Sequence, residues 1–263
     1  MAESVAGPYK VIKKFGAEGG LGMADIHELE LYASAAVVIG AGQPLLIALS
    51  GTGPEERSPV QILSAIWRRR PWPWATTVVL AAVLVMIGLQ YGVHGLSDHL
   101  MRQPDALHDG QWWRVFTALF IQSSGLLQIV INVPALAVAG PVAERCFGPG
   151  RWLLIFFGSG VAANIVSEAG WSRHGGGCSI AICGLVGALA AVCLARTANP
   201  KRQRVMAIAI LAAGVFLGAI ENNHGAGLLA GCVLGLAVAW PRKGPRQDPR
   251  KGYDRVSVSV PQR

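Results

Sequence analysis

Six apolar stretches, each long enough to cross a lipid bilayer as a helix, constrain this chain more than any other feature. They cover approximately residues 74–93, 125–143, 152–170, 178–196, 204–220 and 224–240. Crossing the hydrocarbon core takes about 20 mostly apolar residues in a helix. Only 14% of the 263 residues are charged, whereas a soluble domain carries about 25%. The sequence therefore predicts an all-α membrane protein with six transmembrane helices.

The basic residues indicate how these helices are oriented. They cluster before the first stretch, after the second, after the fourth and after the sixth, as Arg68, Arg69, Arg70, Arg145, Arg151, Arg196, Lys201, Arg202, Arg204, Arg242, Lys243, Arg246, Arg250 and Lys251. The loops on the opposite side hold only Arg102, Arg114 and Arg173. Cytoplasmic loops carry the excess of lysine and arginine, so both termini are predicted to be cytoplasmic.

The net charge of +8 does not indicate a nucleic-acid-binding protein, because the basic residues lie at the ends of apolar runs rather than on one basic face. The five cysteines form no CxxC pair and no zinc-type spacing. His94, His99 and His108 fit no metal motif, and no phosphate-binding glycine motif is present. We therefore expect the lipid bilayer as a partner, with no nucleic acid, no cofactor and no metal.

The chain divides into three predicted parts. Residues 1–66 form an N-terminal cytoplasmic region of unknown fold, residues 67–240 the six-helix membrane domain, and residues 241–263 a basic, disordered tail near anionic lipid headgroups. The apolar run over 31–50 is interrupted by a Gly/Pro-rich turn. That interruption favours a hairpin or a small packed domain over a seventh membrane helix.

Four polar side chains lie at a similar depth within the predicted helices. With the orientation above, Ser179 and His224 lie near the outer ends of the fourth and sixth helices. Gln128 and Asn132 lie in the outer half of the second, four residues apart and so on one face. A single such residue is more often a packing or interfacial residue. Four at one depth indicate a site able to perform acyl-transfer chemistry, since polar groups inside a membrane are costly.

Rows of small residues run beneath both Ser179 and His224. The row in the sixth helix is His224, Gly227, Gly231 and Gly235, and the row in the fourth is Ser179, Cys183, Gly187, Ala191 and Ala195. Small residues let membrane helices approach closely. A serine oxygen reaches an imidazole at about 2.6–3.2 Å only if the two backbones are near each other. The rows therefore predict close packing with the reactive pair at the same end.

Four segments in this order resemble the rhomboid family of intramembrane serine proteases. They are QWWRVFT at 111–117, similar to the family's WR motif; Glu144-Arg145, similar to its ER turn; GCSIAICGLVG at 177–187, similar to its GxSG nucleophile segment; and NHGAGLLAG at 223–231, similar to its histidine segment. The match covers about residues 74–240. It implies a six-helix rhomboid-like bundle and leaves residues 1–66 without a counterpart.

The resemblance also implies roles for the polar residues. Ser179 would be the nucleophile and His224 the general base that later protonates the leaving amine. The oxyanion would be held by the Ser179 backbone N–H with Gln128 and Asn132. Gln128 stands where the family has a histidine, and its amide can still donate. Ile180 replaces the glycine that follows the serine, which would narrow the cleft or strain the turn.

The sequence leaves two functions open. The first is an intramembrane serine endopeptidase that cleaves transmembrane segments of single-span membrane proteins with a Ser-His dyad. The alternative is a catalytically inactive rhomboid-like protein that binds membrane helices. A transporter or channel is less favoured, because the apolar stretches hold few ionisable residues and show no inverted repeat. The resemblance also favours a bacterial inner membrane.

Overall fold

A computed structural model of the protein describes residues 42–50, 58–196 and 199–239. Its helices are α1 (Pro59–Arg68), α2 (Trp74–Gly92), α3 (Leu96–Leu100), α4 (Arg114–Thr117), α5 (Gly125–Phe147), α6 (Pro149–Val166), α7 (Ser179–Ala195), α8 (Lys201–Ala219) and α9 (Asn223–Ala239). Six of them, α2 and α5 to α9, are apolar and overlap the six predicted stretches. The described ranges contain no strand. The predicted all-α bundle of six membrane helices is confirmed.

Helix α7 lies at the centre of this bundle. Its side chains from residue 179 to residue 193 are all buried, and it packs against α5, α6, α8 and α9. A helix that is apolar on every face belongs inside such a bundle. Four helical stretches are long and apolar enough to cross a membrane. Three of them are α2, α5 and α8, and the fourth is α6 together with the π-helical turn that follows it. The two shorter helices, α7 and α9, have 17 residues each and carry Ser179 and His224 in their first turns.

Glu144 and Arg145 near the end of α5 connect it to two neighbouring helices. The Glu144 carboxylate accepts hydrogen bonds from the backbone N–H of Ala75 at 2.9 Å, and from the N–H and hydroxyl of Thr76 at 2.7 and 2.8 Å. These N–H groups belong to the first turn of α2, where a helix has no acceptors of its own. Arg145 donates to the carbonyl of Ile66 in α1. The Glu-Arg pair therefore fixes the start of α2 and the end of α1 against α5.

Two buried arginines hold the loop between α2 and α5 in place. Arg114, from the segment similar to the WR motif, donates to the carbonyl oxygens of Asp98 at 2.6 Å and Met101 at 2.8 Å. Arg102 donates to the side chain of Asn164 in α6. Burial lowers the pKa of Arg102 to about 10, which still leaves the guanidinium charged at neutral pH. The loop is therefore a packed part of the fold.

Residues 42–50 form a helical segment that packs into the bundle. Leu45 and Leu46 are buried, and a Cβ added at Gly42 would lie 3.0 Å from the side chain of Val186 in α7. Part of the predicted N-terminal region thus lies against the central membrane helix.

The other predictions for the ends of the chain lie outside the described residues. The hairpin or small domain predicted over 31–50 falls largely on residues before 42, and the predicted disordered tail over 241–263 follows the last described helix. The division at residues 66 and 240 stays a prediction.

Replacing Glu144 with alanine is expected to reduce the free energy of unfolding by about 3 kcal/mol, because buried donors of α2 lose a charged acceptor. Glu144→Gln keeps one carbonyl oxygen and should lose about half as much. Thermal unfolding in detergent micelles measures both changes. Asp109→Ala, at an exposed acidic residue before α4, is the control. A wild-type unfolding temperature for Glu144→Ala would show that this carboxylate does not stabilise α2.

Candidate active site

Ser179 and His224 lie side by side at the same end of the bundle. Ser179 is the first residue of α7 and His224 the second residue of α9. The distance from Ser179 Oγ to His224 Nε2 is 3.0 Å, which is within hydrogen-bond range. The two residues are 7% and 6% exposed. This geometry suits a hydroxyl that is activated by a neighbouring base.

The glycine row of α9 is what lets the two helices approach. A Cβ added at Gly227 or Gly231 would overlap the backbone of Ile180 or Gly184 in α7. At Gly235 an added Cβ would lie 2.7 Å from the Cα of Ala188. Two helices packed this closely leave no room for a side chain between them. The predicted row in α9 is therefore confirmed as the contact surface.

The row predicted for α7 is correct only in part. Ser179 and Gly187 of that row contact His224 and Leu228 in α9, but Ile180, Gly184 and Ala188, which lie against the glycines of α9, were not part of it. A strict spacing of four drifts by about 40° per step around a helix of 3.6 residues per turn. A step of three before the steps of four, as in the row His224, Gly227, Gly231 and Gly235 of α9, keeps the residues nearer to one face.

Gln128 and Asn132 bring their amide groups to the segment before Ser179. Gln128 Nε2 donates to the carbonyl of Gly176 at 2.8 Å. Asn132 Nδ2 donates to Gln122 Oε1 at 2.8 Å. Each amide nitrogen carries two hydrogens, so a second one on each has no partner among the described residues.

Three consecutive glycines allow this segment to pass close to the amides. Gly177 has a φ of 146° and Gly175 a φ of 129°, values that favour glycine. A Cβ at Gly177 would overlap the Gln128 amide and lie 3.6 Å from Asn132 Nδ2. Gly175 also pairs with Arg102 through two backbone hydrogen bonds of 2.8 and 3.2 Å. The glycine run therefore places the amides of α5 next to the start of α7.

Two polar residues of the site were missed by the sequence reasoning. Gln122 is fully buried, orients Asn132, and exchanges two hydrogen bonds with the side chain of Gln90 in α2. Asn222 contacts His224 on the side of the ring away from Ser179. Gln122 lies between the predicted helices and gave no periodic signal. Asn222, two residues before the histidine and just before a helix, matched the pattern of a helix cap.

Ile180 does not strain the turn into α7. Its backbone is helical and its side chain is 2% exposed. Among the described residues, the positive-φ positions other than glycine are Asp105 and Glu221. The β-branched side chain is thus accommodated inside the bundle.

The same described ranges hold no group of three or more His, Cys, Asp or Glu side chains able to bind a metal ion. The fold defines the chain as a helical membrane protein with a buried serine–histidine pair. Residues 109–243, just over half of the chain, match the family model of the rhomboid domain. The chain belongs to the rhomboid family.

Two relatives come from Bacillus subtilis (strain 168). Rhomboid protease GluP is 30% identical over 149 residues, which cover 54% of this chain and 29% of GluP. YdcA, provisionally described as a rhomboid protease, is 32% identical over 135 residues, or 48% of this chain and 67% of YdcA. The chain thus spans less than a third of GluP. The family and the apolar helices make it an integral membrane protein, and the bacterial relatives support the predicted cell membrane.

Gly231→Ala is expected to push α7 and α9 apart and to destabilise the protein by about 1–3 kcal/mol, as overpacking does in other cores. The larger Ser179–His224 distance should also slow labelling of Ser179 by a fluorophosphonate. Gly218→Ala in α8 is the matched control, because its added Cβ would make only an ordinary contact at 3.4 Å. Equal unfolding temperatures and labelling rates for the two variants would contradict the role of the glycine row.

Proposed function

We propose that the protein is an intramembrane serine endopeptidase that cleaves transmembrane segments of single-span membrane proteins. The observation that supports this most is the 3.0 Å contact between Ser179 Oγ and His224 Nε2, buried at the ends of two membrane helices. Membership in the rhomboid family, and the description of GluP as a rhomboid protease, support the same conclusion.

The reaction follows from the geometry of the pair. His224 Nε2 takes the hydroxyl proton as Ser179 Oγ attacks the scissile carbonyl carbon, and a tetrahedral oxyanion forms. The imidazolium then gives that proton to the leaving amine as the C–N bond breaks, which leaves an acyl group on Ser179. A water molecule, deprotonated by the same nitrogen, releases the acyl group as a carboxylic acid and restores the serine.

Three hydrogen-bond donors support an oxyanion site. Ser179 is the first residue of α7, so its backbone N–H has no intrahelical acceptor. The amide nitrogens of Gln128 and Asn132 lie beside Gly177, two residues earlier in the chain. Fixed donors of this kind stabilise charge most where water is excluded. We therefore assign the oxyanion site to Ser179, Gln128 and Asn132.

The distribution of basic residues supports a site near the outer face, with both termini in the cytoplasm. A scissile bond in a membrane helix must leave its helical hydrogen bonds before attack, because its backbone has no water to bond with in the hydrocarbon. Substrates are therefore expected to have glycine, proline or small residues near the cut.

Purified protein in liposomes is expected to cleave a single-span reporter, and Ser179→Ala or His224→Ala should abolish the product, since each removes one half of the reacting pair. Ser172→Ala and His174→Ala, in the loop before α7, are the matched controls and should retain activity. Background product and no fluorophosphonate labelling of the wild type would instead support the non-catalytic, helix-binding role. Labelling without cleavage would mean that the reporter is not a substrate.

Gln128→Ala is expected to lower kcat by about 100- to 1000-fold, the loss seen when one oxyanion donor is removed from other serine hydrolases. Gln128→His restores the family's residue and should keep most of the activity. The measurement is initial cleavage rate at saturating reporter, with Gln203→Ala in α8 as a control for the loss of a glutamine. A wild-type rate for Gln128→Ala would remove this residue from the oxyanion site.

A further inference from the structure

We propose that Asn222 is a positioning residue that fixes the tautomer and the orientation of His224. Asn222, His224 and Ser179 then form a chain of two hydrogen bonds. The catalytic meaning of this inference rests on the proposed function. The hydrogen-bond pattern behind it can be tested whether or not a substrate is found.

The orientation of the Asn222 amide follows from a backbone contact. The backbone N–H of His224 lies 3.0 Å from the Asn222 side-chain oxygen, and an N–H group can only donate. The atom that faces it must therefore be the carbonyl oxygen and not the amide nitrogen. An amide turned the other way would place two donors against each other.

The same oxygen determines where the imidazole holds its hydrogen. Asn222 Oδ1 lies 3.0 Å from His224 Nδ1. Because this oxygen can only accept, Nδ1 must carry the hydrogen, and in a neutral ring Nε2 then has the free lone pair. That lone pair faces Ser179 Oγ at 3.0 Å. The tautomer that Asn222 selects is thus the one that a general base at Nε2 requires.

Asn222 is itself held firmly in place. Its backbone N–H donates to the carbonyl of Leu217 in α8 at 2.9 Å, and its carbonyl accepts from Gly225 at 3.0 Å. Glu221 before it has a φ of 59°, in the left-handed region that few non-glycine residues adopt. Asn222 is 5% exposed. The turn between α8 and α9 therefore presents the side-chain oxygen in one position.

A neutral amide suits this position better than a carboxylate. Asn222 is buried, and so is the imidazole that it contacts. A buried carboxylate without a paired cation is expensive in such surroundings. An unpartnered N–H on the buried ring would also be unfavourable. The asparagine satisfies that N–H and adds no charge.

Asn222 also acts as the N-cap of α9, and this alone could explain why it is an asparagine. A capping side chain accepts from the N–H groups of the first turn, as Asn222 does from His224. Serine caps a helix about as well as asparagine. Its oxygen is attached directly to Cβ, so it is too short to reach Nδ1 as well. Asn222→Ser therefore separates capping from positioning.

The experiment compares the wild type with Asn222→Ser and Asn222→Asp as full-length proteins. Nitrogen-15 NMR of histidine-labelled protein in detergent micelles reports the tautomer of His224, and the His224→Ala spectrum assigns its signals. We expect hydrogen on Nδ1 in the wild type and in Asn222→Asp, and a shift toward the other tautomer in Asn222→Ser. Unfolding temperatures should be similar for the wild type and Asn222→Ser, since both keep a cap, and lower for Asn222→Asp, whose buried carboxylate has no paired cation.

The kinetic readout is the pH profile of kcat/KM for reporter cleavage. Asn222→Ser should lower the rate by about 100-fold, as expected for a misaligned general base. Asn222→Asp should keep activity, with its acidic limb moved to higher pH because a carboxylate stabilises the imidazolium.

The proposal would be overturned by an unchanged His224 tautomer in Asn222→Ser. It would also be overturned if Asn222→Asp had the wild-type rate and an acidic limb at the wild-type pH. Either result would reduce Asn222 to a helix cap. A wild type that cleaves nothing and resists fluorophosphonate would instead overturn the proposed function, and the NMR result would still decide the role of Asn222.

Discussion

The close approach of the α7 and α9 backbones is the constraint on which the rest of the site depends. A serine side chain is short, so its oxygen meets the His224 ring only when the two helices nearly touch. Glycines at 227, 231 and 235 make that contact possible against Ile180, Gly184 and Ala188. The other elements are arranged around this pair, with the loop after α2 and the first turns of α5 supplying amides near Ser179.

The polar groups around the pair are mostly neutral, which fits their surroundings. Gln90, Gln122, Gln128, Asn132 and Asn222 bond to backbone atoms, to each other or to His224. Neutral amides inside a membrane protein can be satisfied completely by a few partners, whereas an isolated charge cannot. The buried charges of Glu144, Arg102 and Arg114 bond largely to backbone atoms.

Much of this arrangement was predictable from residue patterns because the bilayer imposes simple rules. The lengths of the apolar stretches predicted the six helices, and the glycine spacing in α9 predicted its contact face. The face of α7 was harder, because almost every residue there is small or apolar and several rows looked alike. Gln122 and Asn222 could not be found by periodicity, since their roles depend on side chains that are distant in sequence or on a turn. Residues 1–66 have no counterpart in the family that the sequence resembles, so no family pattern could guide a prediction of their fold.

The glycine row also has an entropic consequence. A contact built from residues without rotatable side chains loses no rotamer freedom when it forms, and the backbone on both sides is already ordered as helix. The distance between Ser179 and His224 is therefore maintained without immobilising flexible groups. For the same reason the interface has no alternative rotamer with which to absorb an added methyl group. The contact between α7 and α9 thus forms at little cost in side-chain entropy, and it is also the contact least able to accommodate a larger residue.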